Sequence, residues 1–164
     1  MLMPVSGYED LPLVSLGHAV AQAISLLPDI QKYADVAKQN CKEPAGGLTI
    51  DESAAIMLHT MNWKPIDKTL YVILNEALRS KDGRSLKSWF LFLKIFLTAF
   101  HKLPSIQRGT AYRGCRLDLK EYYKRERPVI WWGFSTCTNS IKTLESEYIV
   151  GKTGTRTLFT IESY

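Results

Sequence analysis

Residues 86–103 read LKSWFLFLKIFLTAFHKL, and the fold turns on how this run is interpreted. Its length and apolar content suit a membrane span. Its polar residues do not. Lys87, Lys94, Thr98 and His101 follow at spacings of seven, four and three. That sets them on one stripe of a helix, with apolar residues over the rest of its surface. A lysine near the middle of a spanning helix needs a partner to offset the cost of its charge. The run therefore predicts a central helix, mostly buried and stopped by Pro104.

Working back from it, the pattern stays helical. Leu16, Val20, Ile24 and Leu27 keep helix spacing as far as Pro28. A second helix is expected through Asn40, and EPAGG at 43–47 marks a turn. LTIDESAAIMLHTM, residues 48–61, opens with Thr49 at the N-cap and Glu52 three residues on. In that capping box each side chain accepts from the other residue's backbone N–H. Asp67 begins a further helix with Leu70, Ile73, Leu74, Ala77 and Leu78 on one face, and KDG at 81–83 ends it.

After Pro104 the character changes. TAYRGCRL at 110–117 reads as a short strand, and KEYYKRERP at 120–128 as a charged loop. VIWWGFSTCT at 129–138 reads as a strand running into small hydroxyl residues. YIVGKTGTRTLFTI at 148–161 reads as two β-runs around a Gly-Lys-Thr-Gly turn. Helices followed by strands predict an α+β fold rather than a doubly wound sheet.

The 164 residues are 46% hydrophobic and 23% charged, with a net charge of +5. This is globular composition with room for a real core. The modest positive charge favours anionic partners without singling out nucleic acid. Lys120 to Arg127 mixes basic residues with Tyr122 and Tyr123, as single-stranded nucleic-acid binders do. Glu121 and Glu126 in the same run favour a solvated loop instead. Cys41, Cys115 and Cys137 are odd in number and form no Cys-x-x-Cys pair. They read as free thiols in a reducing compartment, with no metal site. MLMPVSGYEDLPLV at the start has no basic segment and carries an early Glu-Asp, so no signal peptide is read there. A cytoplasmic, membrane-free protein is expected.

Several motifs fail. The Walker pattern needs a glycine where Gly-Lys at 151–152 is preceded instead by Ser146, and no helix pattern follows. There is no Gly-x-Gly-x-x-Gly. His18, His59 and His101 stand singly, without ligand spacing.

Two short stretches hold. In AYRG, Arg113 sits on a strand with Gly114 after it. A guanidinium there suits bidentate recognition of a diphosphate, and glycine permits close backbone approach. About twenty residues on, a β-run ends in Phe134, Ser135, Thr136, Cys137 and Thr138. Hydroxyls at such an end can bond a ribose or orient a reacting group.

Taken in order, with the helices before them, these stretches resemble the arginine-modifying mono-ADP-ribosyltransferases from about Leu48 to Ile161. LTIDESAAIMLHTM resembles the helix that opens that family's domain. YVILNEALR, residues 71–79, is similar to a Tyr-x-x-Ile-Asn-x-x-Leu-Arg helix of related bacterial toxins. AYRG matches the family's arginine motif and WWGFSTCT its Ser-Thr-Ser motif. The layout KLPS…YRG…WWGFS carries the likeness furthest.

The resemblance implies a helical lobe followed by a mostly antiparallel β-sandwich, lacking its last strands. Residues 1–47 would form an N-terminal helical extension and 48–164 a partial transferase domain. The implied activity is transfer of ADP-ribose from NAD to an arginine side chain of an acceptor protein, releasing nicotinamide. NAD would be a substrate, and no metal is implied. Arg113 would hold the NAD phosphates and Gly114 present its backbone to the nicotinamide amide. Asn75 and Arg79 would line the cofactor cleft. Arg113, Ser135 and Thr136 would be catalytic, and Thr138 would contact the cofactor. The Ser-Thr-Ser pattern departs here to Thr136, Cys137 and Thr138, and threonine keeps the hydroxyl while adding a methyl.

The family carries a further Glu-x-Glu motif beyond the strand that TLFTI resembles. Glu145 and Glu147 in ESE precede the final β-run, and Glu162 lies within it. The sequence therefore predicts little or no transfer by these 164 residues alone. The alternative is an inactive NAD-binding or protein-interaction module. The last β-run, RTLFTIESY, expects further strands to cover it.

Overall fold

A computed structural model describes residues 5–80, 83–104, 108–147 and 149–163. The chain divides into two compact units, residues 1–104 and 105–164.

The first unit is helical. It contains α1 (Leu16–Ala21), α2 (Ile30–Asn40), α3 (Ile50–Thr60) and a 3₁₀ turn (Ile66–Lys68). After these come α4 (Leu70–Arg79), α5 (Arg84–Lys87) and α6 (Phe90–Lys102). α6 packs on α3 and α1, and α2 packs on both α1 and α3. Trp89, Phe92 and Phe96 are fully buried, together with Leu16, Ile30, Leu58 and Leu74. Thus α1 and α2, read from sequence as an extension, share one unit with α3 to α6.

The TIDE sequence at 49–52 ties that unit together. Thr49 Oγ1 accepts from the Glu52 amide at 3.2 Å, and Glu52 Oε2 accepts from the Thr49 amide at 2.8 Å. The expected capping box is therefore formed. Asp51 Oδ1 accepts from the Leu16 amide, the first of α1, at 2.9 Å, and pairs with Lys38 of α2 at 2.9 Å. Glu52 pairs with Lys102 of α6 at 2.7 Å. One helix start thus meets three other helices. Burial alone would raise the Glu52 carboxyl, but Lys102 and the Thr49 donors outweigh it and hold the group below its usual range.

Residues 86–103 form two helices rather than one. α5 ends at Lys87 and α6 starts at Phe90. Trp89 lies between them with none of its surface exposed, so the break accompanies burial of the largest side chain in the run. Lys94 Nζ donates to the Glu9 carbonyl, which gives the mid-helix lysine its partner. No described helix is long and apolar enough to cross a membrane. The first helix also ends earlier than its spacing suggests. α1 stops at Ala21, and Ile24 is 42% exposed while Ala23 and Leu27 take the core positions.

In the second unit, β1 (Gly109–Cys115) pairs antiparallel with β2 (Thr157–Ser163), setting Arg113 opposite Phe159 and Gly114 opposite Leu158. A short helix, α7 (Ile141–Leu144), packs on β1. The fold is α+β, and its described sheet has two strands.

Two expected strands are corrected. Residues 129–138 form no strand, and their only ladder contact is an isolated bridge between Thr138 and Tyr112. Val129 and Ile130, the β-formers that suggested it, stay exposed. The described part of residues 149–156 is turn and bend, so no hairpin forms around Gly-Lys-Thr-Gly. β2 takes β1 as its partner instead, and Gly151 and Gly154 adopt φ of +71° and +85°. These left-handed conformations carry the chain round the loop. Lys81 and Asp82 of KDG, Ser105 of KLPS and Tyr148 lie outside the described residues.

Candidate functional site

The second unit gathers charge. Residues 105–164 contain ten lysines and arginines against six aspartates and glutamates. Its sheet has two distinct faces, because neighbours along a strand point to opposite sides while directly paired residues share one.

Arg113 and Phe159 share one face. The Arg113 guanidinium carbon lies 5.8 Å from the Trp131 ring centroid, within cation–π range. Trp131 meets Phe159 edge-on at 5.4 Å, and Tyr123 meets Phe159 edge-on at 4.8 Å. The arginine is thus set beside an aromatic cluster drawn from three separate segments.

The same arginine reaches the hydroxyl motif. Its Nη1 donates to the Thr136 carbonyl at 3.1 Å, across 23 residues of sequence. Next to it the Tyr112 amide donates to Thr138 O at 2.7 Å, and the Thr138 amide donates to Tyr112 O at 2.9 Å. AYRG and STCT are therefore fastened together, side chain to backbone and backbone to backbone. Thr138 Oγ1 accepts from the Ser140 amide at 3.2 Å, just before α7. Ser135 is half-buried and Thr136 is exposed. Cys137 is exposed, its thiol 3.5 Å from the Ser135 carbonyl.

Gly114 faces the other way. A Cβ there would stand 2.4 Å from Val150 Cγ2 and 3.0 Å from Leu158 Cδ2. Glycine is required at this position by packing, whatever else its backbone does. On this second face an open hollow of about 320 Å³ lies between Leu144, Leu158, Lys152 and Arg156. Glu145 also lines it and pairs with Lys152 at 3.1 Å, and Glu147 pairs with Arg116 at 3.7 Å. Arg156 Nη1 donates to the Gly151 carbonyl at 2.6 Å, folding the loop over itself.

Asn75 and Arg79 belong to the helical unit. Asn75 is buried in α4 with 2% of its surface exposed, and Arg79 is exposed at the end of that helix. The structure therefore brings Arg113 together with Thr136 and Thr138 within one unit, and describes Asn75 and Arg79 in the other. His59, which stands without ligand spacing in the sequence, is 6% exposed between Tyr71 and Phe96. Among the described residues, no group of three His, Cys, Asp or Glu could hold a metal ion.

Sequence reasoning missed Trp131, Phe159 and Tyr123 as neighbours of Arg113. Their convergence depends on long-range packing, and the one local hint is the Trp131–Trp132 pair directly before the hydroxyl motif. No protein-family model, no curated protein and no solved structure matches this chain.

Proposed function

We propose that this protein is an NAD-dependent mono-ADP-ribosyltransferase that modifies arginine side chains. One observation carries the reading: Arg113 of AYRG donates to Thr136, while Tyr112 and Thr138 bridge the same two motifs. A guanidinium held beside backbone and hydroxyl groups suits a diphosphate joined to a ribose. In the reaction, the bond from the ribose anomeric carbon to nicotinamide breaks. A new bond forms from that carbon to a nitrogen of the acceptor arginine, which gives up a proton. Positive charge develops on the ribose, and the acceptor is a cation until that proton leaves, so a carboxylate serves both needs. The acceptor is an arginine-bearing protein.

A second reading is a module that binds NAD or a protein without turnover. It is favoured by the carboxylates of ESE. Glu145 and Glu147 are engaged by Lys152 and Arg116, and the hollow that Glu145 lines also takes in Leu158, on the face away from Arg113. The two readings separate in one assay, incubation with NAD and agmatine as a small arginine-like acceptor. ADP-ribosyl-agmatine formed by the wild type, at the low rate expected of these 164 residues, and lost in Arg113→Ala supports the transferase. NAD bound through Arg113 with no nicotinamide released supports the module. NAD bound equally by Arg113→Ala refutes Arg113 as the NAD site, and with it the transferase reading.

A further inference from the structure

Among the groups around Arg113, Trp131 is one to which no role has been given. It stands four residues before the first hydroxyl of STCT, and the Arg113 guanidinium lies over its ring at 5.8 Å. It is itself braced: Phe159 lies edge-on to it at 5.4 Å, and Tyr123 is edge-on to Phe159 at 4.8 Å. Phe159 is also the residue directly opposite Arg113 in the β1–β2 register. Phe159 and the arginine therefore stand on paired strands. Trp131 is 37% exposed, more than core filling requires.

We infer that Trp131 is a positioning residue that sets the plane of the Arg113 guanidinium. A lone arginine side chain on a sheet face turns about several bonds, and its bidentate fork matches a diphosphate in only some of those orientations. Its contacts restrict it here, among them those with Thr136 and Trp131. The Thr136 carbonyl takes an Nη1 hydrogen, and the guanidinium lies over the indole ring. A fixed edge of donors is thereby presented, and the ordering cost of binding an anion falls. The role goes beyond the proposed activity, because it holds for any anion that Arg113 receives. Its consequence for NAD rests on that activity being right.

The test compares wild type with Trp131→Leu, which keeps apolar bulk, and Trp131→Phe, which keeps a ring face. The first readout is the NMR signal of the Arg113 side-chain Nε–H, identified by its loss in Arg113→Lys. Ring-current displacement of that signal is expected in the wild type, largely kept in Trp131→Phe and lost in Trp131→Leu. An Arg113 signal indifferent to Trp131→Leu overturns the inference. The second readout is NAD affinity by calorimetry. Trp131→Leu is expected to weaken it about five- to tenfold, Trp131→Phe less, with no further loss from Trp131→Leu in an Arg113→Ala background. If Arg113→Ala abolishes NAD binding while Trp131→Leu leaves it unchanged, the positioning role is wrong and the site stands. If Arg113→Ala leaves NAD binding unchanged, the proposed function is wrong, and the NMR signal alone decides the role of Trp131. Melting curves for each variant separate a local effect from loss of the fold.

Discussion

Acidification should destabilise the helical unit through His59. This histidine has 6% of its surface exposed, its ring centroid 4.6 Å from that of Phe96 and 5.4 Å from that of Tyr71. Burial lowers its pKa from 6.5 to about 4, because a charged imidazole loses its hydration there. Between those values the unfolded chain binds a proton that the folded chain refuses. Stability is therefore full above pH 6.5 and falls as pH drops towards 4. Each tenfold difference in proton affinity is worth about 1.4 kcal/mol, so the whole gap is worth about 3 kcal/mol. About 2 kcal/mol of it is already lost near pH 5. The assay is urea unfolding followed by helical circular dichroism at about pH 7 and about pH 5, in wild type and His59→Phe. Phenylalanine keeps an aromatic ring in the cluster and cannot titrate. The wild type should lose about 2 kcal/mol more than the variant over that interval. Equal losses would refute the reasoning, as would an NMR titration of His59 with a midpoint near 6.5.

Other predictions follow from the same packing. Glu52→Ala removes the reciprocal cap of α3 and the partner of Lys102, and should cost about 1–2 kcal/mol in urea unfolding near neutral pH. Because its carboxyl is held low, that contribution should fade only below the usual carboxylate range, at more acid pH than the His59 effect. Gly114→Ala should destabilise by about 1–3 kcal/mol through the clash with Val150, and Val150→Ala should recover part of the loss in the double variant. Melting of the three proteins tests this, and a neutral Gly114→Ala would show that the packing gives way. Trp131→Leu should weaken NAD binding without lowering the melting temperature, as a half-exposed positioning residue requires.

The legible parts of the fold were those specified locally. Thr49 and Glu52 stand three residues apart, and their capping box needs no other segment to form. The apolar spacing of Leu70, Leu74, Ala77 and Leu78 likewise lies within the single helix α4. The illegible parts depended on distant partners. Residues 86–103 look continuous as a pattern, yet Trp89 is wholly buried where the helix breaks. Val129 to Thr138 has strand propensity, but only Thr138 meets a partner strand, and propensity without a ladder makes no strand. β2 was expected to fold back on its own preceding run and instead joined β1, about forty residues earlier. At the site, Arg113 and the hydroxyl residues were recognisable as types and in order. Their attachment through Thr136 O and Thr138, and the face of Trp131 over the guanidinium, arise only when the chain folds.

The central claim is that Arg113, fastened to the hydroxyl motif, receives the diphosphate of NAD. Calorimetric titration of NAD into the wild-type chain and into Arg113→Ala tests it most directly. The account predicts saturable binding by the wild type, weakened at least tenfold or about 1.4 kcal/mol in the variant, with both proteins melting alike. Binding of equal strength by the two, or none by a folded wild type, would contradict it.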